Sequence, residues 1–258
     1  MRTVAHDGRE TAFRIGDRGA TGPTLVLVHG SGGTHEIWKS QLARLAGEYR
    51  VVALDLSGHG ESDDVAAEDG PAAREAYVED VIAVTHAVSG DVLVGNSLGG
   101  AVVIEAMLQA NLGVAGVVLA GSGAKLGVLE DLRNWLASDF DRAIDFLHGE
   151  DMLFHDPDPQ LETFSREAKR AVGRRVTERD FLASHTFDER DRIDQIVVPT
   201  LAVTGEYDQL TPPEYHQYLA AEMPAAEWTT VPDAAHLSML EAPEAFDAAL
   251  RDFLQRRL

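Results

Sequence analysis

Short apolar segments alternate along most of this chain with longer segments of helical character. This alternation constrains the fold more than any other feature of the sequence. The apolar segments are rich in β-branched residues and are bounded by Gly, Asp or Pro, which is typical of strands. Strands that are apolar on both faces are characteristic of parallel sheets covered by helices. The sequence therefore predicts an α/β fold with a mostly parallel central sheet flanked by helices.

The same pattern places the individual elements. Strands are predicted over residues 24–29, 50–54, 91–95, 114–120, 200–204 and 227–231. Helices are predicted over residues 37–45, 72–88, 98–111, 213–221 and 241–256. Residues 3–5 and 11–15 indicate an antiparallel hairpin at the edge of the sheet.

One segment, residues 126–187, interrupts the alternation because it is rich in charge and helix formers and contains no convincing strand. Apolar residues at three- and four-residue spacing predict one long amphipathic helix; they are Leu129, Leu132, Leu136, Phe140, Ile144 and Leu147. The sequence Asp156-Pro157-Asp158-Pro159 predicts a turn before further short helices. We therefore expect a core domain of residues 1–125 and 188–258, with residues 126–187 as a helical insertion.

A serine between two glycines carries the strongest functional signal. Gly95-Asn96-Ser97-Leu98-Gly99 follows a predicted strand and opens a predicted helix, as the Gly-x-Ser-x-Gly nucleophile elbow requires. Such a turn strains the backbone of the serine and projects its hydroxyl into the cleft above the sheet. An ordinary Gly/Ser turn is the alternative, but the strand-turn-helix context favours Ser97 as a nucleophile.

A second glycine-rich segment, His29-Gly30-Ser31-Gly32-Gly33, follows the strand predicted over residues 24–29. Its glycines allow backbone N–H groups to turn towards a developing negative charge. In a hydrolase, the N–H groups of Ser31 and Leu98 would form the oxyanion hole. A phosphate-binding loop is disfavoured because no Gly-Lys-Ser/Thr follows and the spacing is not that of a dinucleotide-binding motif.

A serine nucleophile needs a general base and a group that orients the base. His236 lies between the last predicted strand and the C-terminal helix, and Asp208 follows the strand predicted over residues 200–204. A loop histidine or a turn aspartate taken alone is more often structural. The chain order Ser97, Asp208, His236 is nevertheless the nucleophile, acid, base order of hydrolases with this elbow, so the three assignments support one another.

Across essentially its whole length, the sequence resembles the α/β-hydrolase superfamily. The segment Asp55-Leu56-Ser57-Gly58-His59-Gly60-Glu61-Ser62 matches a family segment near the site, where His59 is given a structural role. The C-terminal part from His236 to Glu244 resembles small carboxylesterases and enol-lactonases. By this resemblance, residues 126–187 would correspond to a helical cap. Because many activities share these motifs, they specify the fold and the triad better than the substrate.

The resemblance implies cleavage of small carboxylic esters through an acyl-enzyme on Ser97, with no metal or cofactor. Lactone hydrolysis and cofactor-free perhydrolysis would use the same triad. Carbon–carbon bond hydrolysis is a close alternative because Gly95-Asn96-Ser97 also resembles that branch, although the branch usually carries tryptophan where this chain has Leu237. A small-molecule receptor on the same fold is the alternative outside the enzymes.

Large apolar residues in and near the insertion are candidate pocket walls: Trp38, Trp135, Phe140, Phe146, Leu153 and Phe154. Such residues are more often part of the core than of a ligand site. We expect the substrate to be a small-molecule ester and the protein to be a monomer or a homodimer.

Composition excludes several classes of function. The 258-residue chain contains no cysteine, which excludes disulfides, thiolate metal sites and a cysteine nucleophile. No apolar segment approaches the ~20 residues needed to cross a bilayer, and a cytoplasmic location is expected. The 43 acidic and 22 basic residues give a formal charge of −21, which disfavours binding to nucleic acid or to anionic lipid.

The large negative charge suggests a protein adapted to a salt-rich cytoplasm, because salt screens the self-repulsion that destabilises the folded chain. An acidic surface that only aids solubility is the alternative. If salt adaptation is correct, the melting midpoint rises steadily from low salt to molar KCl. A midpoint that stays flat or falls over that series excludes it.

Overall fold

The computed structural model describes residues 1–67 and 70–258, and eight strands in this part form one sheet in the order β1-β2-β4-β3-β5-β6-β7-β8. Strands β1 and β2 form the antiparallel edge hairpin, β2 pairs antiparallel with β4, and the other neighbours are parallel. The strands are β1 Arg2–His6, β2 Arg9–Gly16, β3 Thr24–Val28, β4 Arg50–Leu54, β5 Val92–Asn96, β6 Gly116–Ala120, β7 Thr200–Gly205 and β8 Ala226–Val231.

Helices cover both faces of this sheet. They are α1 Lys39–Arg44, α2 Gly70–Val88, α3 Leu98–Gln109, α4 Glu130–Ser138, α5 Phe140–Leu147, α6 Pro159–Val172, α7 Arg174–His185, α8 Pro213–Glu222, α9 Ser238–Glu241 and α10 Pro243–Arg257. Helices α4 to α7 all lie between β6 and β7 in the chain. Within the described residues, no helix is long and apolar enough to span a membrane.

The side chains of each central strand enter two cores, one on each face. In β3, Val26 and Val28 pack with residues of α2 and α3, whereas Leu25 and Leu27 pack with residues of α4, α5 and α10. All the residues of β3 are buried. This burial explains why the strand is apolar from Leu25 to Val28 instead of alternating with polar residues.

The predicted strands and the edge hairpin agree with the structure to within two residues at each end, but two helices differ. The helix predicted over 37–45 begins as a 3₁₀ turn, His35–Trp38, before α1. The helix predicted over 241–256 is two helices, α9 and α10, that meet at Ala242. Because Pro243 disfavours helical geometry in the residue before it, the chain breaks there and α10 starts at the proline.

The prediction of one long helix through residues 129–147 is wrong. The structure has two helices, α4 and α5, separated at Asp139, whose side chain accepts a hydrogen bond from the Arg142 N–H at 3.3 Å. Asp139 therefore caps α5 instead of continuing α4, a role that competes with helix propagation for short acidic side chains. Of the predicted stripe, Leu129 is 63% exposed.

The turn between β5 and α3 packs without space for a larger residue at Gly99. A methyl group there would lie 2.5 Å from the carbonyl oxygens of both Val28 and His29. We therefore expect Gly99→Ala to destabilise the fold by about 1–3 kcal/mol, the usual cost of overpacking. The measurement is the free energy of unfolding in urea.

Gly47→Ala provides the control, because a methyl group at Gly47 meets no atom within 4 Å. Equal stabilities for the two variants would contradict the steric account of this turn.

Candidate active site

Ser97 occupies the sharp turn between β5 and α3 and has φ 54° and ψ −119°. A non-glycine residue in such a conformation costs on the order of 1–3 kcal/mol, so its surroundings must hold it there. The Ser97 N–H donates to the carbonyl of Ala120 at 2.9 Å, and the Ser97 carbonyl accepts from the Gly100 N–H at 2.9 Å. The half-buried Ser97 side chain lines a cavity above the carboxyl ends of the parallel strands, the usual ligand position in open α/β sheets.

Asp208 and His236 are joined by a hydrogen bond of 2.9 Å between Oδ2 and Nδ1. The two side chains come from loops after β7 and β8, and both are buried. The other oxygen of Asp208, Oδ1, accepts from the N–H groups of Leu210 and Thr211 at 2.9 Å each. The Thr211 hydroxyl donates to Oδ2 at 2.8 Å. These bonds fix the carboxylate that orients the imidazole ring.

The charge state of Asp208 follows from these contacts. Burial alone would raise the pKa of its carboxyl group, but electrostatic attraction to His236 and the hydrogen bonds from His236 and Thr211 lower the pKa below its ordinary value. An ionised carboxylate at Nδ1 favours a proton on that nitrogen. Nε2 is then the nitrogen able to accept a proton.

The loop that carries His236 packs closely against the end of β6. Gly121 has φ 52°, and a methyl group on it would lie 3.0 Å from Nδ1 of the ring. The next residue, Leu237, donates its N–H to the carbonyl of Leu153 at 2.9 Å. Residue 153 belongs to the segment between β6 and β7, so this segment helps to set the position of the ring.

Ser97 and His236 line the same cavity, but no direct hydrogen bond joins their side chains in the part of the chain that the structure describes. Catalytic hydrogen bonds are often long before a substrate binds, so this geometry is compatible with a nucleophile and its base. The Thr211 hydroxyl lies 3.2 Å from His236 Nδ1 as well as bonding to Asp208.

The two predicted oxyanion donors lie at the ends of neighbouring strands. Ser31 follows β3, and Leu98 is the first residue of α3, where the N–H groups have no partner within the helix. Across residues 1–67 and 70–258, neither N–H donates to a protein acceptor. The adjoining Gly32 N–H donates to Asp180 Oδ2 at 2.8 Å, so the Ser31 loop is attached to helix α7.

Asp180 is a fully buried carboxylate with three partners. Besides Gly32, it accepts from His59 Nε2 at 2.8 Å and from the Tyr77 hydroxyl at 2.6 Å. Burial alone would raise the pKa of Asp180 and lower that of His59. Their mutual attraction and hydrogen bond reverse both effects, so the pKa of Asp180 is lowered and the pKa of His59 is raised. The structural role predicted for His59 is thus to pair with Asp180.

The cavity has a volume of about 310 Å³, near the lower end of the ~300–1,000 Å³ range of small-molecule sites. Of the candidate wall residues, Phe146 and Leu153 line it. The other four, Trp38, Trp135, Phe140 and Phe154, lie outside the lining. Trp38 is fully buried and packs against Phe246, with 6.1 Å between ring centroids. Among the described residues, no group of His, Asp and Glu side chains is placed to hold a metal ion.

Sequence reasoning missed Lys169, Asp180 and Thr211. The position of Thr211, three residues after a turn aspartate, is a detectable signal because such aspartates accept hydrogen bonds from the following N–H groups. Lys169 and Asp180 have no comparable local signal, since they lie on helices with many other charged residues.

Known proteins of several kinds are similar to this chain. It matches the Alpha/beta hydrolase family over residues 25–249. A pimeloyl-(acyl-carrier protein) methyl ester esterase from Neisseria meningitidis serogroup C is 30% identical over 249 residues, which cover 90% of this chain and 93% of that protein. A 2-hydroxy-6-oxo-6-(2'-aminophenyl)hexa-2,4-dienoic acid hydrolase from Metapseudomonas resinovorans is 29% identical over 273 residues, which cover 99% of this chain and 91% of that protein. The solved structure of a thermophilic esterase is 28% identical to this chain and superposes on it with a TM-score of 0.85, covering 99% of this chain and 97% of the esterase.

Replacing Asp180 by alanine leaves three buried donors without their acceptor. Since removing one partner of a buried pair is strongly destabilising, we expect Asp180→Ala to lower the free energy of unfolding by roughly 3–5 kcal/mol. The stabilisation by His59 is complete below the ordinary histidine pKa of about 6.5 and is lost as pH rises through the raised value. The stabilisation by Asp180 is present above the ordinary aspartate pKa of about 3.9 and is lost as pH falls through its lowered pKa.

The cost of Asp180→Ala should therefore be largest near pH 6 and should fall as pH rises through the raised pKa of His59, as measured by urea unfolding from slightly acidic to alkaline pH. Asp141→Ala is the matched control, because Asp141 is 76% exposed in its ion pair with Arg170. A cost that does not change with pH would contradict a charged His59–Asp180 pair.

Proposed function

Because the chain belongs to the alpha/beta hydrolase family, we propose that it is a serine hydrolase that cleaves carboxylic esters of small substrates through an acyl-enzyme. One observation carries the proposal: Ser97, on its strained turn, and His236, held by Asp208 at 2.9 Å, line the same cavity. The esterases among its relatives support an ester as the substrate.

In the proposed reaction, Ser97 Oγ forms a bond to the ester carbonyl carbon while His236 Nε2 takes the hydroxyl proton. The carbonyl oxygen becomes an oxyanion, to which the N–H groups of Ser31 and Leu98 donate. The alcohol leaves with the proton from His236, and the acyl group remains on Ser97. A water molecule, deprotonated by His236, then releases the carboxylic acid, while Asp208 stabilises the protonated ring in both steps.

In this scheme, the hydrogen bond between Ser97 Oγ and His236 Nε2 forms when the substrate binds. Both side chains border the cavity, so an ester placed there excludes water from the space between them. Exclusion of water strengthens the remaining polar contacts.

Residues 126–187 are proposed to act as a cap over this site. Helices α5, α6 and α7 and the connection between α5 and α6 contribute Phe146, Leu153, Lys169 and Phe181 to the cavity lining. Because these residues face the catalytic groups, the cap is proposed to determine which esters are accepted.

Carbon–carbon bond hydrolysis is the second candidate because of the relative from Metapseudomonas resinovorans, whose name describes hydrolysis of a dienoic acid. The same triad would also hydrolyse a lactone. A receptor with this fold would bind its ligand and turn it over at most about once, whereas enzymes commonly reach ~1–10³ turnovers per second.

Ser97→Ala should reduce hydrolysis of short p-nitrophenyl esters by at least ~10³-fold and should abolish labelling by a fluorophosphonate, because the nucleophile is lost. Asp208→Asn should reduce turnover by ~10²–10⁴-fold, because the imidazole loses the carboxylate that selects its tautomer. Steady-state rates on a panel of esters, lactones and dienones distinguish the candidate activities.

Ser138→Ala is the control, because Ser138 is exposed at the end of α4, where its hydroxyl donates a hydrogen bond to the Asn134 carbonyl of the same helix. Wild-type turnover by a folded Ser97→Ala protein would end the assignment of Ser97. No turnover on any member of the panel by the wild-type protein would favour the receptor.

A further inference from the structure

Lys169, on helix α6, is a buried lysine whose ammonium group lies at the cavity. The residue is only 6% exposed, and its Nζ donates to the carbonyl of Ser31 at 3.1 Å. An ammonium group has three protons to donate, and in the described part of the chain this is the one hydrogen bond that the Lys169 ammonium group makes. The group therefore retains donors for a ligand.

The cavity has an unusual charge for this chain. The sequence has 43 acidic and 22 basic residues, yet none of the described residues that line the cavity is Asp or Glu. Lys169 is the one Lys or Arg among the described residues of that lining, and His236 is the one histidine. The site therefore differs in sign from the chain as a whole.

No carboxylate in the described structure lies within ion-pair distance of Lys169. Lys125, by comparison, is 49% exposed and lies 3.1 Å from Asp188. Burial lowers the pKa of Lys169 to about 8, partly offset by the charge of Asp180 on α7. The amino group is thus mostly protonated at neutral pH, and a buried charge without a close partner is energetically unfavourable.

We propose that Lys169 binds a carboxylate of the substrate, so that the protein prefers esters that carry one negative charge in addition to the ester group. This inference rests on the proposed hydrolase function. The contact with Ser31 puts the ammonium group beside the residue that is proposed to bind the oxyanion, so the carboxylate and the ester would lie a few bonds apart. One ammonium group balances one carboxylate, whereas a phosphate monoester carries up to two negative charges.

A purely structural role for Lys169 is the competing explanation, because its bond to the Ser31 carbonyl also holds the oxyanion loop. The two roles differ in what they do to substrate preference. Loss of a loop support slows hydrolysis of every ester alike, whereas loss of a carboxylate site slows hydrolysis of the anionic ester more.

The test compares two esters of nearly the same shape: monomethyl glutarate and methyl 5-methylhexanoate, in which an isopropyl group replaces the carboxylate. The assay is run in molar KCl, which screens repulsion by the exposed acidic residues more than it weakens a buried contact. The readout is the ratio of kcat/KM for the anionic ester to that for the neutral ester. Wild-type protein should show a ratio of at least about ten, the effect of one buried charged contact.

Lys169→Met should reduce this ratio at least about tenfold, and Lys169→Gln serves as the second uncharged variant. Lys125→Met is the matched control, because it removes the same charge outside the cavity and should leave the ratio unchanged. A wild-type ratio near one, or an equal loss on both esters in the Lys169 variants, would overturn the inference while leaving the hydrolase function intact.

Binding of monomethyl glutarate to Ser97→Ala, measured by calorimetry, tests the carboxylate site without turnover. Binding that weakens at least about tenfold when Lys169→Met is added supports the site. Absent binding, or binding that the second substitution does not change, overturns it. If the wild-type protein hydrolyses neither ester, this binding result alone decides the role of Lys169. The proposed hydrolase function fails separately, on the absence of turnover across the whole panel.

Discussion

The close packing of one turn, where β5 passes into α3, positions the rest of the site. Ser97 adopts an unfavourable backbone conformation there, and it is held from both sides: its N–H bonds to Ala120 at the end of β6, and Gly99 packs against the carbonyl groups at the end of β3. The loops after β3, β7 and β8 then reach the turn because parallel strands end at the same edge of the sheet. The geometry of the site is thus a consequence of sheet order as much as of any single residue.

Much of this arrangement follows from the sequence, since strands buried on both faces and glycine-rich turns are local patterns. The α/β-hydrolase fold, expected from these patterns together with the family resemblance, is confirmed by the family match and the solved esterase structure. The features that these patterns did not predict depend on tertiary contacts or on local interactions that compete with the pattern. Asp139 caps α5, although apolar spacing alone predicts that α4 continues through this residue. Trp38 packs against Phe246 in the core and does not line the cavity. Asp180 meets His59 across 121 positions of the chain, a pairing that no local pattern encodes.

The chain as a whole is acidic, whereas the described residues that line the cavity include no carboxylate. The formal charge of −21 belongs to the sequence as a whole, and the ionic groups of the site are instead matched individually. Asp208 faces His236, and Asp180 faces His59. For Asp208, Asp180 and His59, burial opposes ionisation and the partner reverses that effect, so the pKa of each of these three groups shifts in favour of its charged form.

The segment between β6 and β7 is attached to both halves of the site. Leu153 accepts the N–H of Leu237 beside the proposed base, and Asp180 accepts the N–H of Gly32 beside the proposed oxyanion donor. A graft of this segment from a homologue would have to reproduce both contacts to leave the geometry of the site unchanged. The proposed control of substrate choice and the positions of the two loops therefore depend on the same stretch of chain.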